Sequence, residues 1–218
     1  MKPLIIAIDG PSGAGKGTVA RAVASALGYK HIDSGAMYRA VGWKALHDGV
    51  PLDDERAVAA VAASPIEISP GRVAIDGHDV TREIRTPAID RAAASVARLP
   101  HVRKVLVDCL RRLGQDGEIV MEGRDIGTVV FPDADVKVYL DAAPEERARR
   151  RATDPAHTGG PAAVADVKTA LVERDRIDST RAASPLYAAA DAILVDTTGK
   201  SIDRVVLEVL EVIRGKRN

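Results

Sequence analysis

The chain has 218 residues, 46% hydrophobic and 28% charged, with 31 basic residues balanced by 31 acidic ones. This length supports one globular core from which lobes can hang, and the zero net charge argues against coating nucleic acid or an anionic membrane. A lone cysteine, Cys109, excludes an intramolecular disulfide framework, and the five histidines (His31, His47, His78, His101, His157) show no metal-ligand spacing. No apolar run approaches the roughly 20 residues that cross a bilayer, and Asp9-Gly10 cuts the first apolar run too short for a signal peptide. The expectation is a cytoplasmic monomer that works on small molecules, with no nucleic-acid or membrane partner.

Leu4–Ile8 is a short continuous apolar run stopped by Asp9-Gly10, which predicts a strand buried on both faces. After the loop Gly10–Gly15, apolar residues recur at Val19, Ala20, Val23, Ala24 and Leu27, with Gly28 as a helix stop. Ile66–Ile68 and Val73–Ile75, separated by Pro70-Gly71 and followed by Asp76-Gly77, read as a hairpin that breaks the α/β rhythm. Residues 35–100 are therefore taken as an inserted lobe. A helix over about Leu99–Leu113 carries Cys109 as a small buried hydrophobe beside Val102, Val105, Leu106 and Leu110. Strands follow at Ile119–Met121, Val136–Leu140 and Ala192–Val195, and helices at Pro144–Ala152, about Ala163–Thr180 and Ser201–Ile213. Between two of these helices, Thr153–Pro161 is rich in glycine and proline and reads as a mobile loop. Strands alternating with helices predict an α/β fold with a mostly parallel sheet covered on both faces.

Gly10-Pro11-Ser12-Gly13-Ala14-Gly15-Lys16-Gly17-Thr18 sits between the first strand and the first helix. Glycines let backbone N–H groups converge on phosphate oxygens, and the helix N-terminus adds partial positive charge. Lys16 supplies a full charge that follows the β- and γ-oxygens as the γ-group departs. The pattern is that of a P-loop with one departure, Gly17 where a hydroxyl is usual. Thr18 then either meets Mg²⁺ or binds phosphate and leaves the metal to waters.

A second anion site shows in arginines set beside short polar residues. Ser34 and Arg39 in Asp33–Arg39 suit a helix cap and a fork onto phosphate. Glu122-Gly123-Arg124-Asp125 follows a strand, where ligands of open α/β sheets bind. Arg147, Arg149, Arg150 and Arg151 crowd one helix end, and Arg174, Arg176 and Arg181 follow the glycine-rich loop. No guanine-reading N-K-x-D motif is present.

With GPSGAGKGT, DSGAMYR, EGRDIGTVVFPDA and RDRIDSTRAASPLYAAADA in this order, the chain resembles the bacterial cytidylate kinase family of P-loop nucleoside monophosphate kinases from Leu4 to the last helix. The resemblance implies the three-layer P-loop NTPase fold with an acceptor-binding lobe and a short lid. Residues 1–34 and 101–218 then form the core, about 149–165 the lid and 35–100 the monophosphate-binding lobe. It also implies transfer of the γ-phosphoryl group of ATP to CMP or dCMP with Mg²⁺. Gly10 to Thr18 would hold ATP. Arg39, Arg124 and Arg181 would surround the acceptor phosphate with Ser34 nearby. Asp178 and Arg174 would approach the ribose and phosphate, while Arg103 and Asp125 would read cytosine. Lys16, Arg124, Arg149 and Arg150 are the expected catalytic charges.

A carboxylate beside an arginine complements cytosine, whose amine donates and whose N3/O2 edge accepts; uracil would face Asp125 with a lone pair. Where the family usually carries a base-contacting serine, this chain has Ala94, with Ser95 one residue on. Either Ser95 substitutes through a local shift or that hydrogen bond is absent. The rival readings are a P-loop kinase for UMP, a sugar or a shikimate-like acid, and a nucleotide sensor without turnover.

Overall fold

The computed structural model describes residues 3–154 and 164–217, without the side chain of Arg217. Part of the expected mobile loop and lid, residues 155–163, therefore lies outside the described residues, as does His157. In chain order the elements are β1 (Ile5–Asp9), α1 (Lys16–Leu27), β2 (Lys30–Asp33), α2 (Ser34–His47) and α3 (Glu55–Ala62). Next come β3 (Ile66–Ser69), β4 (Arg72–Ile75), β5 (His78–Asp79), α4 (Pro87–Val96), α5 (Pro100–Gly114) and β6 (Ile119–Gly123). One turn of π-helix (Ile126–Val130) precedes β7 (Val136–Asp141), α6 (Pro144–Ala152), α7 (Val164–Thr180), β8 (Ile193–Asp196) and α8 (Ile202–Arg217).

The central sheet has five strands in the order β2-β6-β1-β7-β8, and every pairing in it is parallel. Its three layers follow from the alternation of side chains along each strand. Ile6, Ile8, Val120, Val136, Val138 and Leu140 point to one face and pack on Val19 and Val23 of α1 and on Val205, Val209 and Ile213 of α8. Ala7, Ile32, Ile119 and Met121 point to the other, where Met37 and Val41 of α2 and Leu106 and Leu110 of α5 cover them. The same cluster takes in Val58, Val73, Ile75 and Val96, so segment 35–100 shares its apolar core with this sheet face. Ile6 is fully buried, and truncating such a side chain to alanine costs about 2–5 kcal/mol.

Residues 35–100 also carry a three-stranded antiparallel sheet, β3-β4-β5, in which the expected hairpin pairs Ile66 with Ile75 and Ile68 with Val73. β5 and helices α3 and α4 add to what the hairpin pattern predicted. No helix of the described residues is long and apolar enough to cross a membrane.

The strand order brings the motifs together. β6 lies between β1 and β2, with Asp9 level with Gly123 and Asp33 level with Glu122. The chain leaving all three carboxyl ends therefore meets in one place. Ser34, expected to suit a helix cap, does not cap α2. Asp33 itself is the cap, accepting from the Ala36 N–H at 3.1 Å, so Ser34 and Arg39 are already helical.

Candidate active site

The loop after β1 can close only without side chains. A Cβ at Gly10 (φ 146°) would lie 2.0 Å from the Leu140 carbonyl oxygen, and one at Gly13 (φ 80°) would lie 2.9 Å from Arg147. Arg147 braces the loop from behind, donating to the Ser12 carbonyl at 3.1 Å while paired with Asp175. Gly10 and Pro11 do not face the cleft; Ser12 to Thr18 line it. Lys16 is buried and donates to the Pro11 carbonyl at 2.8 Å. Burial, followed by the charge of Arg124, pulls its pKa down to about 7. The Gly17 departure from the usual pattern has a local cause. A Cβ there would sit 3.0 Å from the Glu122 carboxylate, which is paired with His31 at 3.1 Å.

Asp9, at the end of β1, accepts from the N–H groups of Ile126 and Gly127 at 2.8 and 2.7 Å. It thereby ties the phosphate loop to the π-turn that follows Arg124 and Asp125. Burial pushes its pKa up to about 6, against the lowering effect of those two N–H groups.

The arginines expected on the acceptor side each have a carboxylate within reach. Arg39 pairs with Asp33 at 2.6 Å, Arg124 with Asp178 at 3.0 Å, and Arg103 with Asp125 in close contact. Arg103 also donates to Ser184 at 3.0 Å and lies over the Tyr38 ring, 5.5 Å from its centroid. Burial pushes the Asp125 pKa up against the pull of Arg103. Burial also tends to raise that of Asp33, but Arg39 overrides it and holds the carboxyl below its ordinary range. Arg174 and Arg181 are shifted down, first by burial and then by Arg124 and Arg103 respectively. Arg181 donates through Nε to the Ser184 carbonyl at 2.6 Å. The buried Arg174 Nε and Arg181 Nη2 find no hydrogen-bond partner among the described residues.

These groups line a single cavity of about 640 Å³, with Ser12 to Thr18 on one wall and Ser34, Arg39, Arg103, Arg124, Asp125, Arg174, Asp178 and Arg181 on the other. The Ser34 hydroxyl donates to the Glu122 carbonyl at 2.7 Å. Arg150 reaches the same cavity and is held by the hydroxyl and carbonyl of Thr197 at 2.9 and 2.7 Å. Besides Gly10 and Pro11, two expected residues are not brought there. Ser95 is exposed and bonds the Arg91 carbonyl at 3.2 Å, whereas Ala94 lines the cavity. Neighbouring helical positions point about 100° apart, so Ser95 cannot replace a hydroxyl at Ala94. Arg149 is 64% exposed and pairs with Glu146 at 2.9 Å, one position off the helix face that carries Arg150. Asp33 and Glu122, which belong to the expected segments Asp33–Arg39 and Glu122–Asp125 but carried no expected role, also line the cavity, and so does Asp90, which no motif marks. Asp90 is a single acid in the first turn of a helix and carries no distinguishing spacing.

Fold and site together define a P-loop phosphotransferase, with a glycine-rich loop and a set of arginines lining one cavity. The architecture is shared with the solved shikimate kinase from Acinetobacter baumannii (16% identity, 98% of this chain and 94% of that one, TM-score 0.50). A gluconokinase from Sinorhizobium meliloti 1021 shares it too (16% identity, 100% and 96%, TM-score 0.52). The sequence profile of the family described as Cytidylate kinase matches residues 6–215. Relatives with the same description from Pelotomaculum thermopropionicum and Solibacter usitatus are 48% and 45% identical. The matches span 97% and 99% of this chain and 97% and 94% of theirs. The chain belongs to the cytidylate kinase family.

Proposed function

We infer that the protein transfers the γ-phosphoryl group of ATP to CMP or dCMP, giving ADP and CDP or dCDP. One observation carries this reading: two buried guanidinium donors, Arg174 Nε and Arg181 Nη2, make no hydrogen bond among the described residues, and both arginines line a cavity that the phosphate loop also lines. Unpaired buried donors are costly, and a phosphate ester between these walls would satisfy them.

Backbone N–H groups of Gly13 to Thr18 and the start of α1 hold the β- and γ-phosphates. Lys16, released from the Pro11 carbonyl, accompanies the γ-group as charge moves onto the leaving oxygen. Arg39, Arg124, Arg174 and Arg181 seat the acceptor phosphate, and Arg150 approaches from the donor side. The acceptor oxygen is already anionic, so in-line attack needs no general base. Positioning and charge compensation supply the rate, and losing one such donor costs about 3 kcal/mol by analogy with oxyanion sites. Asp125 and Arg103 read the cytosine edge. Residues 35–100 act as the acceptor lobe on a core formed by 1–34 and 101–218, with a lid over about 149–165.

Among the described residues no three His, Cys, Asp or Glu side chains gather into a metal cage. Mg²⁺ commonly takes one or two protein oxygens and fills its shell with phosphates and water. Thr18 and Glu122, which line the cavity at the phosphate loop, fit that need and would hold it. When bound, the ion neutralises charge on the β- and γ-oxygens. The setting we propose is the cytoplasm, with the protein acting as a monomer and binding no nucleic acid.

The test is ADP formation from ATP against CMP, dCMP, UMP, AMP and shikimate. Turnover should appear with CMP and dCMP and stay near background without acceptor. Equal ATP consumption in the absence of any acceptor would contradict the reading.

A further inference from the structure

Asp90 stands in the first turn of α4, on segment 35–100, and pairs with arginines of two helices outside that segment. One carboxylate oxygen is in close contact with Arg151 Nη2 of α6, and the other lies 3.5 Å from Arg174 Nη1 of α7. Its negative charge also acts on Arg39, the arginine at the start of α2. All four side chains line the cavity that receives the substrates. The carboxylate is 15% exposed, and Arg151 and Arg174 are 24% and 21% exposed, so the group is only weakly screened by water.

Two guanidiniums converging on the two oxygens of one small anion is how arginines hold a phosphate. Here the anion belongs to the protein. Asp125 and Asp178 are also shared, each with Arg181 as a second partner at 3.7 and 3.8 Å, whereas Asp90 is shared between Arg151 and Arg174 on two different helices, α6 and α7.

We propose that Asp90 is a resident counter-anion of the arginine wall, a specificity-determining residue with which the acceptor monophosphate must compete. Without substrate it offsets the repulsion between Arg151, Arg174 and their neighbours. With substrate its charge opposes that of the phosphate, so it weakens acceptor binding and leaves the donor site untouched. The inference rests on the reading that this wall seats the acceptor phosphate.

The test compares wild type with Asp90→Asn, Asp90→Ala and Asp90→Glu, measuring CMP affinity by calorimetry and KM for CMP and ATP by ADP release. Removing a unit charge beside a phosphate in this weakly screened cavity should tighten CMP by about fivefold or more in the Asn and Ala variants. The Glu variant should stay near wild type, KM for ATP should not move, and kcat should not rise. A role in stability alone would lower the folded fraction and kcat without tightening CMP. Unchanged or weaker CMP binding in both the Asn and Ala variants overturns the inference while the kinase reading stands. If wild type neither binds nor phosphorylates CMP, the proposed function fails and this inference with it.

Discussion

Asp125→Asn separates base recognition from phosphate chemistry. The carboxylate is buried in contact with Arg103, and the Arg181 Nη2 lies 3.7 Å from its other oxygen. The substitution keeps shape and removes charge, leaving two buried guanidiniums short of a counter-ion. Breaking a buried pair from one side costs about 3 kcal/mol, which a domain with about 5–15 kcal/mol of stability tolerates. In the wild type, uracil places a carbonyl lone pair where cytosine places an amine. Facing a buried carboxylate, that mismatch is worth about 3 kcal/mol, or roughly 100-fold in kcat/KM. An asparagine amide can turn to donate or accept, so the CMP/UMP ratio should fall to within about threefold of unity. The assay is ADP release at saturating ATP with each acceptor, read as a ratio of kcat/KM so that any unfolded fraction cancels. KM for ATP should stay within about twofold, because Asp125 stands on the acceptor wall. A CMP/UMP ratio that remains near the wild-type value would refute the assignment of Asp125 as the base reader.

Lys16→Met should leave the fold intact with a melting temperature no lower than wild type, because it removes a charge that burial disfavours, and lower kcat by at least about 100-fold, the scale of one lost transition-state donor. The pKa of about 7 at Lys16 against the ordinary 10.5 has a sign that can be measured. Between those values the unfolded chain binds more protons, so this group's contribution to stability rises with pH. Phosphates restore the charged form, so ATP binding at pH 8 should take up close to one proton, seen as a buffer-dependent heat that Lys16→Met abolishes. Arg149→Ala should change kcat by less than about twofold, because that side chain pairs with Glu146 in solvent. Arg150→Ala, which empties a position in the cavity, should lower kcat by about tenfold or more. Ala94→Ser should return a hydroxyl to the cavity and raise the preference for CMP over UMP by about fivefold, one neutral hydrogen bond's worth.

The phosphate loop and strands β1, β6 and β7 were legible because they are continuous apolar runs bounded by glycine and acidic residues, a signal carried within a few positions. β2 was not, since Lys30-His31-Ile32-Asp33 offers one buried aliphatic and becomes a strand only through pairing with β6. α3 and α4 do carry apolar stripes, at Val58 and Val61 and at Ile89, Ala93 and Val96, but they are alanine-rich and only 8 and 10 residues long, too short to stand out within segment 35–100. Most of the arginines that line the cavity could be named from motifs. Their wiring could not, because Asp90 meets Arg151 from 61 positions away and Arg124 meets Asp178 from 54. The failure at Ser95 was one of helical phase: a single residue's rotation on α4 takes its hydroxyl off the cavity. Gly17 read as a departure from the phosphate-loop pattern, and only the approach of Glu122 explains it.

The central claim is that two anion sites face each other across one cavity. A compound joining adenosine and cytidine 5′ to 5′ through a chain of phosphates would span both walls. It should bind at least about 100-fold tighter than ATP or CMP alone, because the second contact becomes intramolecular. It should also compete with both substrates. Competition with ATP alone, at an affinity no better than that of ATP, would contradict the account.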